Sequence, residues 1–208
     1  SICECFQENL DHYPVLIPFV FFENFETLPH LRFHNGTIWR WNRPLLGFDE
    51  DGTPHLRIEH RVIAAGPTII DEIANAAVYY GLVGWLCAQA TPAENIIPFT
   101  NAKTNFYDAA RLGLNAQIHW LQQSKVGLRH LILDKILPAA ESGLKRLNVD
   151  QDDIQRYLSI IDARVRSGRT GSDWQRAFIK KYGADMANMT KQYIENQKTG
   201  IPVHYWPI

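Results

Sequence analysis

The run Leu56-Arg57-Ile58-Glu59-His60-Arg61-Val62 carries the clearest chemistry in this sequence. Read as a strand, its side chains alternate between the two faces of the pleat. Arg57, Glu59 and Arg61 then share one face, and Leu56, Ile58, His60 and Val62 share the other. A carboxylate between two guanidiniums suits a cation and a phosphate together. Glu59 can ligate a hard ion such as Mg²⁺, while Arg57 and Arg61 can grip phosphoryl oxygens through forked, charge-assisted hydrogen bonds. The same three residues also describe a solvated strand face whose ion pairs contribute little.

A second concentration of functional groups lies just upstream, in His34-Asn35-Gly36-Thr37-Ile38-Trp39-Arg40-Trp41-Asn42-Arg43-Pro44. As a substrate wall, Trp39 and Trp41 shape a cleft and Arg43 faces an anionic ligand beside Arg57 and Arg61. Arginines crowded on adjacent strands repel one another unless anions sit among them, which favours a nucleotide or carboxylate ligand. The plainer alternative is a hairpin with aromatic packing and a surface arginine.

The elements that would position these groups divide near residue 65. Before it the chain is rich in aromatics, prolines and turn signals. Asn35-Gly36 reads as a tight turn, Thr37 to Arg43 as a strand ended by Pro44, and His55 to Ala64 as a second strand after the Asp51-Gly52 turn. The apolar run Tyr13 to Phe22 is confined by Pro14 and Pro18 to a sheet edge or an irregular path. After Gly66-Pro67 the period becomes helical. Thr68 is a candidate N-cap, with Asp71 and Glu72 favoured by the dipole of the first turn. Helices are expected to about Ala90, then over 105–123, 126–145, 150–167, 172–181 and 184–197, with Gly168 as a stop and His204-Tyr205-Trp206 as an aromatic tail that docks on the body. The fold class is therefore α+β: N-terminal antiparallel strands in residues 1–65, then a helical region in residues 66–208. Two or three strands with one polar face make a poor sheet on their own. Such a sheet calls for strands from a longer polypeptide or from another chain.

Composition narrows the classes. Hydrophobic residues make up 46% and charged residues 21% of the 208, enough for a packed core and against wholesale disorder. A net charge of −1 gives no electrostatic case for nucleic acid. The eight histidines lack zinc-like spacing, and Cys3, Cys5 and Cys87 make no disulfide framework. Cys87 reads as a buried small hydrophobe, and the cysteine usage fits a reducing, cytoplasmic setting with no signal-peptide pattern. Ile73 to Ala90 has no formal charge and nearly spanning length. Asn75, Tyr79, Tyr80 and Gln89 within it favour a buried helix over a membrane span.

Three stretches together resemble the C-terminal part of type 2 glutamate–cysteine ligases, a group that includes carboxylate–amine ligases: residues 34–44 (HNGTIWRWNRP), 56–82 (LRIEHRVIAAGPTIIDEIANAAVYYGL) and 105–114 (NFYDAARLGL). Arg-Pro after a Trp-rich strand, then E-x-R, then AGPT into a helix, is similar to that group in order and spacing. The resemblance implies a glutamine-synthetase-like catalytic sheet, ATP and Mg²⁺ as cofactors, and glutamate with an amine such as cysteine as substrates. It implies that Glu59 is a metal ligand, that Arg61 meets the transferred phosphoryl group with Arg57 as a further nucleotide contact, and that Arg43 acts near substrate or nucleotide beside His34 and Trp39. Such an enzyme draws further carboxylates from a preceding half of the sheet. No E-x-E strand precedes Arg57 here, so a C-terminal portion is expected, completed by that missing half or by a second copy. Arg111 and the Arg164, Arg166, Arg169 group are open between phosphate contact and ordinary helix-surface or helix-end charge. A non-catalytic helical interaction module and a metal-dependent hydrolase using His34, Glu59 and His60 are the rival readings. Strand alternation opposes the hydrolase, because Glu59 and His60 point to opposite faces.

Overall fold

A computed structural model describes residues 2–22, 24–63 and 66–208, with backbone alone at residues 123 and 124. Its architecture is α+β, with two small antiparallel sheets among many helices, and the chain divides into two compact units, Ser1–Ala64 and Ala65–Ile208.

The first unit is more helical than the sequence suggests. It contains α1 (Ile2–His12), α2 (Pro29–Thr37) and the hairpin β1 (Asn42–Phe48) and β2 (Pro54–His60). Asn35 and Gly36 lie inside α2 and make no hairpin turn. Proline at the start of α2 pre-sets its first turn, and the Asn35 amide is buried. It accepts from Asn9 Nδ2 at 3.0 Å and donates to Pro44 O at 2.8 Å. The first strand consequently starts at Asn42, five residues later than expected, and runs through Pro44. Proline is tolerated there because Pro44 faces Ile58 at a position whose N–H would point out of the ladder. The flanking bonds fix that phase: Arg61 N–H donates to Trp41 O and Asp49 N–H to Thr53 O, both at 2.9 Å. The second strand stops at His60, and its expected last residue, 64, lies outside the described residues. The run Tyr13–Phe22 forms neither helix nor strand.

The second unit is built on α3 (Ile69–Leu86), α4 (Phe99–Leu112), the hairpin β3 (Gln117–Trp120) and β4 (Gln123–Gly127), α5 (Leu128–Leu131), α6 (Leu137–Arg146), α7 (Gln151–Ser167), α8 (Gly171–Tyr182) and α9 (Met186–Lys198). Thr68 caps α3 through its hydroxyl, as its sequence position suggested. The helices expected over 105–123 and 126–145 are interrupted by the hairpin. Gly113 takes a positive φ of 55° at the end of α4, and Asn105 then brackets the edge of β3. Its amide donates to His119 O at 2.7 Å and accepts from His119 N–H at 2.8 Å. His119 and Trp120 are thus strand residues. Before α6 the helix widens into a π-turn over Ile132–Ile136. Pro138 explains the widening, since it lacks the N–H that the regular ladder requires.

The main core joins α3, α6 and α7 through Ala74, Ala140, Leu144, Ile154, Ile161 and Val165. Here α3 and α6 cross at backbone contact: a Cβ on Gly143 would run into the Gly81 carbonyl, and one on Gly81 into that of Ala140. The aromatic tail docks as anticipated, with Val203 and Trp206 buried against Trp174 and Phe178 and the Trp206 indole donating to Ile201 O at 2.8 Å. Cys87 is exposed beyond the end of α3, so its expected burial is corrected. Among the described residues no helix is long and apolar enough to cross a membrane.

Candidate active site

The β1–β2 register sets Arg43 directly opposite Glu59 and Leu45 opposite Arg57. Arg43 Nε and Nη2 reach Glu59 Oε2 at 2.9 and 2.8 Å, and Arg61 Nη2 reaches the same oxygen at 3.0 Å. Glu59 is thus the hub of an Arg–Glu–Arg cluster, with its second oxygen, Oε1, unbonded among the described residues. The Arg61 hydrogen bond, followed by the charges of Arg43 and Arg61, holds the Glu59 carboxyl below the usual carboxylate range against an opposing effect of burial. It is an anion at neutral pH.

The two arginines differ in what else they touch. Arg43 is nearly buried, and its Nη1 donates to Gly36 O at 2.9 Å at the C-terminal end of α2. That bond satisfies an end carbonyl of the helix and fixes the guanidinium. Arg61 is more open. Its guanidinium carbon lies 5.9 Å from the centre of the Trp39 ring, a cation–π approach, and Trp39 meets Trp41 edge to face at 4.5 Å. Its Nε and Nη1 donate to nothing among the described residues. Arg57 is exposed on the same face and has no ion-pair partner among the described residues.

The structure therefore brings Arg43, Glu59, Arg61 and Trp39 together and leaves Arg57 alone beside them. His34 is elsewhere in the unit. It lies on α2 with Nε2 3.2 Å from Asn9 O, and it lines an apolar cavity of about 270 Å³ with Leu10, Tyr13, Leu16 and Phe33. His60 points to the face opposite Glu59, pairs with Asn42 Oδ1 at 2.6 Å, and is held below its ordinary range by burial. Sequence reasoning missed Asn9 and Asn35, whose paired amides hold α1 and α2 and, through Pro44, β1. Asn35 gave the wrong signal, as half of an Asn-Gly turn dipeptide.

Among the described residues no three His, Cys, Asp or Glu side chains converge as a metal cage. Mg²⁺ commonly takes only one or two protein carboxylates and completes its shell with substrate phosphates and water. A lone ionised Glu59 with a free Oε1 fits that manner of binding.

In the second unit, Asp71 is more than the dipole-favoured first-turn acid its position suggested. It is fully buried and accepts from Thr68 Oγ1 at 2.8 Å, Arg164 Nη2 at 2.6 Å and the Val203 N–H at 3.0 Å. Arg164 also reaches Asn75 Oδ1 at 2.6 Å. Arg166 pairs with Asp162 one turn away, Arg169 reaches His204 O at 3.4 Å, and Arg111 pairs with Asp108 on an exposed helix face. These arginines already have protein partners.

No curated protein and no solved structure matches the chain. A family model does: that of glutamate-cysteine ligase family 2 (GCS2), over residues 35–199, a span that begins in α2, contains the Arg–Glu–Arg cluster and ends after α9. On that match the chain belongs to glutamate–cysteine ligase family 2 and is ligase-like, of the carboxylate–amine kind.

Proposed function

We propose that the β1–β2 face forms the phosphate- and cation-facing wall of an ATP-dependent ligase that joins an amine, cysteine being the leading candidate, to the γ-carboxylate of glutamate. The observation that carries this reading is the division of labour around Glu59: one arginine fixed in the fold, the other partly open with free donors and backed by an indole. Family membership supports the reaction class.

In this reading a glutamate γ-carboxylate oxygen attacks the γ-phosphorus of ATP, and the bond to ADP breaks. The amine nitrogen then attacks the acyl carbon, loses a proton and expels phosphate. Positioning and charge neutralisation dominate such transfers. Arg61 donates to phosphoryl oxygens as charge spreads over them, and Arg57 adds a second cationic contact for the nucleotide. Arg43 is a positioning residue: it orients Glu59 and leaves that carboxylate's outer oxygen available. Glu59 would hold Mg²⁺, which when bound neutralises phosphate charge. Trp39 offers an apolar wall near the arginine. The His34 position is better suited to packing than to touching these substrates, because its ring faces an apolar cavity.

The hydrolase alternative is disfavoured by the same geometry, since His34 and His60 are both turned away from Glu59. A purely non-catalytic module predicts no Mg²⁺-dependent nucleotide affinity. The test is titration of the chain with ATP, with and without Mg²⁺, followed by intrinsic tryptophan fluorescence, to which Trp39 and Trp41 contribute. The reading expects Mg²⁺-dependent quenching that Arg61→Ala and Glu59→Gln each weaken. In a turnover assay each loss is expected to cost on the order of 10²- to 10³-fold. Equal affinity in parent and variants would overturn it.

A further inference from the structure

A cavity of about 220 Å³ lies in the second unit, and the ligase reading makes no use of it. Trp85 from the last turn of α3 and Trp120 from the end of β3 line it with Leu121, Gln122 and Ala139, and Lys135 joins them from the π-turn. Both tryptophans are held in place. Trp120 packs on the small core of Ala116, Ile118 and Leu131. The Trp85 backbone sits where α3 crosses α6, so close that a Cβ on Gly143 would strike its nitrogen. Leu121 takes a φ of 46°, in the left-handed region where glycine or asparagine is the unstrained choice. A leucine stands there against that preference, and its side chain lines the cavity.

The lining also carries donors without acceptors. The Trp174 and Trp206 indoles donate to Pro207 O and Ile201 O, both at 2.8 Å. The half-buried indoles of Trp85 and Trp120 have no such acceptor among the described residues, although a partner is usual for a buried Trp N–H. Lys135 has no partner there either, and the positions three and four residues to each side of it are Leu131, Ile132, Pro138 and Ala139, none of them acidic. Its neighbour Asp134 is taken by His130 Nε2 at 2.9 Å. Among the described residues Lys135 is the one charged side chain that lines the cavity.

We propose that this cavity binds a small aromatic carboxylate, one ring in size, with its ring against the indoles and its carboxylate on Lys135 Nζ. The size follows from the volume, since an apolar cavity of about 150 Å³ is enough for benzene. The sign of the charge follows from Lys135. Two indoles alone would suit a quaternary ammonium, but an uncompensated ammonium on the same lining repels a cation and attracts an anion. A bare inorganic anion gains nothing from the apolar walls, and a neutral ring leaves Lys135 unused. No residue of the β1–β2 hairpin takes part, so the inference stands independently of the ligase reading.

The test is titration of the full, ¹⁵N-labelled chain with benzoate, read at the six tryptophan indole N–H signals after assignment by single Trp→Phe substitutions. The Trp85 and Trp120 signals should move together with a dissociation constant on the order of 1 mM, while those of Trp174 and Trp206 stay. Benzylamine, with the same ring and the opposite charge, and acetate, with the acid and no ring, should each bind at least about tenfold more weakly. Lys135 is exposed and unpaired, so its variants should keep the parent's circular dichroism. Lys135→Met should weaken benzoate about tenfold, and Lys135→Glu should transfer the preference to benzylamine. Arg61→Ala should leave benzoate binding unchanged. Trp85 and Trp120 signals that stay fixed up to about 20 mM benzoate overturn the proposal. So does benzoate binding that Lys135→Met leaves intact or Arg61→Ala abolishes, and so does acetate binding as tight as that of benzoate.

Discussion

Replacing Asp71 with Asn tests whether the buried ion pair holds the helical unit together. Asp71 is fully buried, and Arg164 beside it is 12% exposed. The substitution is isosteric but leaves the guanidinium charge without its counter-ion. It also misplaces a donor. Oδ2 accepts from both Thr68 Oγ1 and the Val203 N–H, and an amide nitrogen in that place would face the Val203 N–H, donor against donor. Thr68 can rotate its hydroxyl, but the backbone N–H cannot turn away. Breaking one partner of a buried pair costs about 3–5 kcal/mol. With a urea slope of about 2 kcal/mol per molar, the midpoint should fall by about 1.5–2.5 M. Far-UV circular dichroism, dominated here by helix, reads the transition, and the difference in tryptophan emission between the parent and a Trp206→Phe background reports whether the tail detaches with it. Combining Asp71→Leu with Arg164→Met should cost less than either single change, because no charge is then left uncompensated. A midpoint shift below about 0.5 M for Asp71→Asn, or strict additivity in the double variant, would refute the reasoning.

Gly143→Ala should cost about 3 kcal/mol by denaturant unfolding, because the new methyl meets the Gly81 backbone and not a movable side chain. Acid should weaken the same unit. Burial holds the His204 imidazole below its ordinary range, with Asp71 partly opposing and Arg164 adding to the effect. The unfolded chain therefore binds the proton first, and stability falls as pH drops from about 6.5 toward the lower folded value. His204→Gln should flatten that slope in pH-dependent thermal melts.

The sequence exposed best those features whose cause is local. The Thr68 cap depends on a side-chain-to-backbone bond three residues long, and the Gly168 stop on a left-handed φ of 66° that glycine adopts without strain. The alternation of Arg57, Glu59 and Arg61 was equally readable, since a strand has only two faces. What was hidden depends on partners far along the chain. Asn35-Gly36 became helix because an amide 26 residues earlier and a carbonyl 9 residues later take up the Asn35 side chain. Asp71 became a buried hub because Arg164 and Val203, 93 and 132 residues away, converge on it. The same distinction separates the arginines of the candidate site. By type Arg43, Arg57 and Arg61 are equivalent, and strand alternation places all three on one face. Their roles diverge only through Gly36, Trp39 and Glu59, which immobilise the first, shelve the third and leave the second without an ion-pair partner among the described residues. Charge pattern locates such a site. Deciding which guanidinium holds the carboxylate and which remains open to a phosphate takes the long-range hydrogen bonds.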